Sequence, residues 1–262
     1  MPSLLRTFVP VAAFFWLLHA GAATVAAATP NPAAGPFAHP DHIELTDYFP
    51  PADPEADYDV SVPKPEEIIG HPVGSAFARH DLVVAWFEAL AEASPLVRLA
   101  DIGRTHEGRR QVTVFISSAR NIDRLTELQR AHLANEADAP IFTWHGYGIH
   151  GNEASTVQAA MAVAWYLAAS RDDDVREILR DTVIMIDPTL NPDGYGRFTT
   201  WANHAAGRVL VADPAHRERT EFWPGGRGNH YFFDLNRDWL LLQHPESVNR
   251  ARFLQKYRPL VM

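Results

Sequence analysis

The 262-residue sequence contains no cysteine. That excludes a disulfide framework and any thiolate metal site, so a transition-metal centre would have to be built from histidine and carboxylate. Basic residues are in the minority: 23 Lys and Arg against 32 Asp and Glu give a formal net charge of −9. A general nucleic-acid binder needs a basic face, so that class is set aside. Past the leader at residues 1–28, no apolar run is long enough to cross a bilayer. There is also no internal repeat and no low-complexity tract beyond that leader. What is present suits a globular chain: 47% hydrophobic residues, 21% charged residues and 13 histidines. The length is sufficient to bury a sizeable core without staples.

Residues 1–28 read as a secretory signal peptide. Arg6 is the only charge of a short n-region, Phe8 to Leu18 is an apolar stretch interrupted by Pro10, and small residues follow at Ala20-Gly21-Ala22 and Ala26-Ala27-Ala28. An uncleaved N-terminal anchor is the alternative. The mature chain is expected to be soluble and secreted or periplasmic. Residues 29–74 are rich in Pro and Asp and read as an extended arm, which Phe37, Tyr48, Phe49 and Tyr58 would anchor.

From Ser75 the pattern becomes periodic. Leu82, Val83, Trp86, Phe87 and Leu90 predict an amphipathic helix over Asp81 to Ala93. Val97 to Ile102 and Gln111 to Ser117 read as strands joined by a turn, with Gly108 free to take positive φ. A helix is expected over Ile122 to Asn135, a short strand over Pro140 to Trp144, and a buried, nearly all-apolar helix over Glu153 to Ser170. Asp172 to Arg180 predicts a more polar helix, and Thr182 to Ile186 a buried parallel strand. Strands alternating with helices imply an α/β domain, three-layered α/β/α on a mixed, largely parallel sheet. After a helix over Glu246 to Tyr257, the residues to Met262 look like the start of another strand. The domain over 75–262 therefore reads as incomplete at its C-terminus, a fragment or a truncated reading frame.

Three segments carry chemistry. In Thr143 to Ser155 a strand ends, a Gly-rich turn follows and the apolar helix begins. His150 and Glu153 are three apart there, which puts both side chains on one side of a helix start. An imidazole nitrogen and a carboxylate oxygen together suit Zn²⁺. A helix-capping carboxylate beside a surface histidine would give the same letters. The position at the C-terminal edge of a sheet favours a site, since open α/β sheets place theirs there. Asp187 to Tyr195, with Pro188, Pro192 and Gly194, is expected to form an irregular loop at a second strand end. In Phe233 to Trp239, Asn236 beside Arg237 has the donors to bind a carboxylate, or else to form a salt-bridged surface turn.

In this order, His150-x-x-Glu153, Asn191-Pro192-Asp193-Gly194 and Asp234-Leu235-Asn236-Arg237-Asp238-Trp239 resemble the zinc carboxypeptidases of the M14 type, over about Ser75 to Met262. Trp223-Pro224-Gly225-Gly226 further resembles a bacterial exported branch. The resemblance implies that His150 and Glu153 are two of three ligands to one Zn²⁺, and that Asn236 and Arg237 hold the terminal carboxylate of a peptide or protein substrate. It also implies an arginine that polarises the scissile carbonyl. Arg227 is chosen for that role, with Arg219 and Arg217 as alternatives. The family's third ligand, its general-base Glu and its Tyr-bearing loop match no position of the 262 residues. His145, His204, His216, His230 and His244 fall elsewhere than the third-ligand position, and Glu107 and Glu221 are expected to be solvated. The implied activity is removal of C-terminal residues from peptides. Two alternatives are a non-catalytic carboxylate- or peptide-binding remnant and a related zinc amidohydrolase.

Overall fold

The computed structural model describes residues 44–51, 58–207 and 211–262. The leader at 1–28 and Phe37 lie outside the described residues. Two short helices come first, α1 (Leu45–Tyr48) and α2 (Pro65–Ile69), followed by α3 (His80–Ala93). Strands β1 (Val97–Arg104) and β2 (Arg110–Ile116) form a hairpin, and helices α4 (Ala119–Asp123) and α5 (Leu125–Leu133) follow. Then come β3 (Ile141–Gly146), α6 (Ser155–Ala169), α7 (Asp173–Asp181), β4 (Thr182–Asp187), α8 (Pro192–Ala205) and α9 (Pro245–Tyr257).

The sheet has the order β1-β2-β4-β3. β1 and β2 pair antiparallel, as do β2 and β4, while β3 and β4 run parallel from Ile141↔Thr182 to Gly146↔Asp187. The sheet is mixed, as expected, but its parallel share is smaller than the strand–helix alternation suggested, because the β1–β2 hairpin enters antiparallel. Alternation of side chains on β2 and β4 divides the core into two layers. Val114, Ile116 and Ile186 face a cluster with Val83, Trp86, Phe87 and Leu90 of α3 and Val157, Met161 and Trp165 of α6. Phe115, Val183 and Met185 face the other way, onto Ile122, Leu125, Leu128, Phe253 and Tyr257. Helices thus cover both faces.

Three local expectations are corrected. The helix expected over Ile122 to Asn135 is two helices, because Ser118 caps the first by accepting from the Asn121 N–H and Arg124 leaves helical geometry at ψ 16°. The segment after Asp187 is not irregular throughout. Asn191 accepts a hydrogen bond from the Gly194 N–H at 2.9 Å, and Pro192 sits at the first helical position, where its missing N–H removes no bond, so α8 begins inside the motif. Residues 258–262, expected to begin a strand, form only a single parallel bridge, Thr143↔Val261.

Within the described part of the arm, Phe49 stacks on Tyr166 at 4.8 Å and Tyr58 packs on Trp165 at 4.6 Å, whereas Tyr48 is exposed. Among the described residues no helix is long and apolar enough to cross a membrane.

Phe87 is fully buried between α3 and the sheet. Phe87→Ala is expected to lower stability by about 3–5 kcal/mol, read by urea denaturation. A loss below 1 kcal/mol would contradict this account of the core.

Candidate active site

The parallel strands β3 and β4 end side by side, and the loops that follow are bonded backbone to backbone. The Tyr147 N–H donates to Asp187 O at 3.0 Å, the Leu190 N–H to Tyr147 O at 2.8 Å and the Asn191 N–H to Gly148 O at 3.1 Å. The turn that carries His150 then presses on the first turn of α8. A Cβ placed on Gly151 would meet the Gly194 and Tyr195 backbone at 2.1 Å, and one placed on Gly194 would meet the carbonyls of Gly226 and Gly228 at 2.4 Å. Glycine is required on both sides of this contact because three backbone segments meet there. The Asn191 amide adds a bond to Arg227 O at 3.1 Å. The loop over 225–229 is thereby laid across α8 and against the His150 turn.

His150 is buried and lies between two carboxylates. Its Nδ1 is 2.9 Å from Glu153 Oε1, and its Nε2 is 3.0 Å from Asp234 Oδ1. Asp234 also accepts from the Arg227 guanidinium at 2.9 Å and from the Asn236 N–H at 2.9 Å. Partial burial works against ionisation of Asp234. The Asn236 N–H, Arg227 and His150 outweigh it and hold the carboxyl below the usual aspartate range. Glu153, His150, Asp234 and Arg227 therefore form one continuous chain of polar contacts.

Asn236 and Arg237 lie in a single 3-10 turn just after Asp234, with exposed side chains. Asn236 Oδ1 accepts from the Trp239 indole at 2.9 Å, and Arg237 donates to Asn236 O at 3.2 Å. Neither side chain bonds to His150 or Glu153; the link runs through the Asn236 backbone to Asp234.

Asp234 is the residue that sequence reasoning missed. It lies inside the Asp234-to-Trp239 motif, and a carboxylate two positions before Asn236 is the readable signal for it. Glu221 is corrected, being only partly exposed and hydrogen-bonded, while Glu107 is exposed as expected yet also paired. Glu221 accepts from Asn152 at 3.0 Å and from the Gly226 N–H, and Glu107 pairs with Arg109 and lies 3.2 Å from His230. Each carboxylate combines a local partner with one distant in sequence, Asn152 for Glu221 and His230 for Glu107. Of the remaining histidines, His145 rests against Thr143 at 3.3 Å, His216 is 3.6 Å from Glu218, and His244 lies 3.0 Å from His106.

A zinc ion takes nitrogen and oxygen ligands at about 2.0–2.2 Å, so two of its ligand atoms stand roughly 3–3.5 Å apart. The 2.9 Å between His150 Nδ1 and Glu153 Oε1 fits that demand with little adjustment. Metal-bound histidines commonly give their other nitrogen to an outer carboxylate, and Asp234 stands in that position on Nε2.

A buried histidine beside a half-exposed glutamate, backed by an aspartate, thus stands at the C-terminal end of the parallel strands of a mixed α/β sheet. A family model for zinc carboxypeptidases, peptidase M14, matches residues 83–259, and the chain belongs to that family. Carboxypeptidase Z of Rattus norvegicus is 26% identical over 218 residues, covering 78% of this chain and 29% of that protein. The carboxypeptidase N catalytic chain of Homo sapiens is 27% identical over 162 residues, covering 61% of this chain and 29% of that protein. The chain thus spans less than a third of these relatives. Among solved structures, carboxypeptidase A from Helicoverpa armigera is 14% identical, with a TM-score of 0.44 over 74% of this chain and 49% of that one. A metallo-carboxypeptidase from Burkholderia cenocepacia is 16% identical, with a TM-score of 0.44 over 69% of this chain and 38% of that one.

The depressed ionisation of Asp234 sets a pH dependence. The ionised carboxylate stabilises the fold above its unfolded value of about 3.9, and that contribution is lost as the pH falls through the lower folded value. Asp234→Asn is expected to cost roughly 1–3 kcal/mol at pH 7 and much less near pH 2, read by thermal unfolding at both pH values. Equal losses at the two would contradict the pairing.

Proposed function

We propose that this chain serves zinc-dependent removal of C-terminal residues from peptides, with His150 and Glu153 as metal ligands and Asn236 and Arg237 as the carboxylate grip. The observation that carries the reading is the placement of His150 between Glu153 and Asp234, within a chain of the zinc carboxypeptidase family. A zinc ion held there would supply a Lewis acid for the scissile carbonyl and lower the pKa of a bound water. Asp234 orients the His150 ring and keeps Nδ1 turned toward Glu153. Arg227 has a half-exposed side chain whose contact with Asp234 holds it beside the metal ligands. From there its guanidinium can donate to the oxygen that gains charge during attack, an effect worth about 3 kcal/mol per donor.

Asn236 and Arg237 select the substrate end. An amide N–H and a guanidinium on adjacent residues suit a free α-carboxylate through charge-assisted bonds, and an amidated terminus offers them no anion. The exposed side chains are available to a peptide arriving from solvent. The leader-like composition of residues 1–28 supports a secreted or periplasmic setting.

Calorimetric binding of one peptide as free acid and as amide, with the purified chain, tests the carboxylate grip. The acid is expected to bind more tightly, and Arg237→Ala to remove about ten- to a hundredfold of its affinity while barely changing that of the amide. Equal losses for both would remove the role of Arg237. The metal ligands are tested by zinc competition against a chelator. His150→Ala and Glu153→Ala are each expected to lower zinc affinity by about tenfold or more, and unchanged uptake in both variants would end the metal assignment.

A further inference from the structure

A second set of metal-ligating side chains lies outside that site. His106 belongs to the β1–β2 turn, His244 immediately precedes α9, and Glu246 is in the first turn of α9. One ligand atom from each lies within 4.8 Å of the others, and among the described residues this is the only such group of three. His106 Nε2 stands 3.0 Å from His244 Nδ1 and 3.9 Å from Glu246 Oε2.

We propose that His106, His244 and Glu246 form a second divalent transition-metal site, of zinc-like preference, that ties the β1–β2 turn to the start of α9.

Several observations converge on it. Glu246 is fully buried, yet its Oε2 has no hydrogen-bond partner. A buried carboxylate oxygen without a partner is costly, and a cation satisfies it directly. The nearby guanidinium of Arg250 does not answer this charge alone, because Asp187, Asp238 and Glu246 all act on it.

The histidines are equally poised. The Asn229 amide also reaches His244 Nδ1, at 3.0 Å, and its orientation is set because its oxygen accepts from the Tyr231 and Phe233 N–H groups. One lone pair on His244 Nδ1 therefore faces two nitrogens, His106 Nε2 and Asn229 Nδ2, and cannot serve both well. An ion would take that lone pair in place of both nitrogens, turning His106 Nε2 into a fellow ligand and requiring the Asn229 amide to draw back.

The scaffold is held in place. Asp193 is buried and fixes the β1–β2 turn through Thr105 Oγ1 at 2.7 Å, the Glu107 N–H at 3.2 Å and Arg109 at 2.9 Å. Two imidazoles and one carboxylate match the borderline-soft ligand set of Zn²⁺, and His106 opens to solvent as an entry route. Without an ion, the cluster is left with the His106–His244 contact and an unpartnered Glu246 Oε2.

The test uses the full chain carrying His150→Ala and Glu153→Ala, so that the other proposed ligands are removed and the two readings fail separately. Zinc is titrated against a fluorescent chelator. The variant is expected to retain one bound zinc, and adding His106→Ala to weaken it by about tenfold or more. In the unmodified chain, zinc should shift the ring ¹⁵N resonances of His106 and His244 and leave those of His132 in place, a reading that needs no substitution. Failure of the double variant to bind zinc, equal affinity with and without His106→Ala, or unmoved His106 and His244 rings would overturn the proposal.

Discussion

The site depends on a contact that involves no side chain. Gly151, Gly194 and the carbonyls of Gly226 and Gly228 bring three chain segments together at backbone distance. A methyl group on either Gly151 or Gly194 would drive into main chain, which has no rotamer to move. Because these backbones touch, the turn that carries His150, the start of α8 and the loop that carries Arg227 share one position. The polar chain from Glu153 to Arg227 forms on top of that contact and would come apart without it.

Asp234 converts this proximity into chemistry. A histidine alone at a strand end can rotate; a histidine with a carboxylate on each nitrogen cannot, so the ring is aimed before any ion arrives. The same aspartate restrains Arg227 and receives the N–H of Asn236. One carboxylate thereby links the proposed metal ligands to the proposed oxyanion donor, Arg227, and to the turn that presents Arg237. Asp193 plays a comparable part across the β1–β2 turn, where it anchors Thr105, Glu107 and Arg109.

Much of the fold was legible locally. Alternation on β2 and an unbroken apolar run on β4 announced strands, and the burial of β4 on both faces follows from that run. The His150–Glu153 spacing announced a shared side, and the structure places the two at 2.9 Å. Contacts made across long sequence separations were not legible. Glu221 looked like a loop carboxylate because nothing near it in sequence shows that Asn152 will reach it. His244 fell outside the family's third-ligand position, and nothing near it in sequence shows that His106, more than a hundred residues earlier, will reach it. The start of α8 was misread for a different reason: Pro and Gly signal irregular backbone in general, but Pro at the first helical position behind an Asn cap signals a helix. Asp234 was in plain view, yet its role exists only once the loop over 225–229 has been folded back onto His150.

The central claim is that His150 and Glu153 converge on one ion with Asp234 behind them. Anomalous diffraction at the zinc edge, from crystals of the chain grown with zinc, tests it most directly. The account predicts a peak within about 2.0–2.2 Å of both His150 Nδ1 and a Glu153 carboxylate oxygen, with Asp234 still on Nε2. Zinc-loaded crystals without density at that point, or with His150 turned to offer Nε2 to the ion, would contradict it.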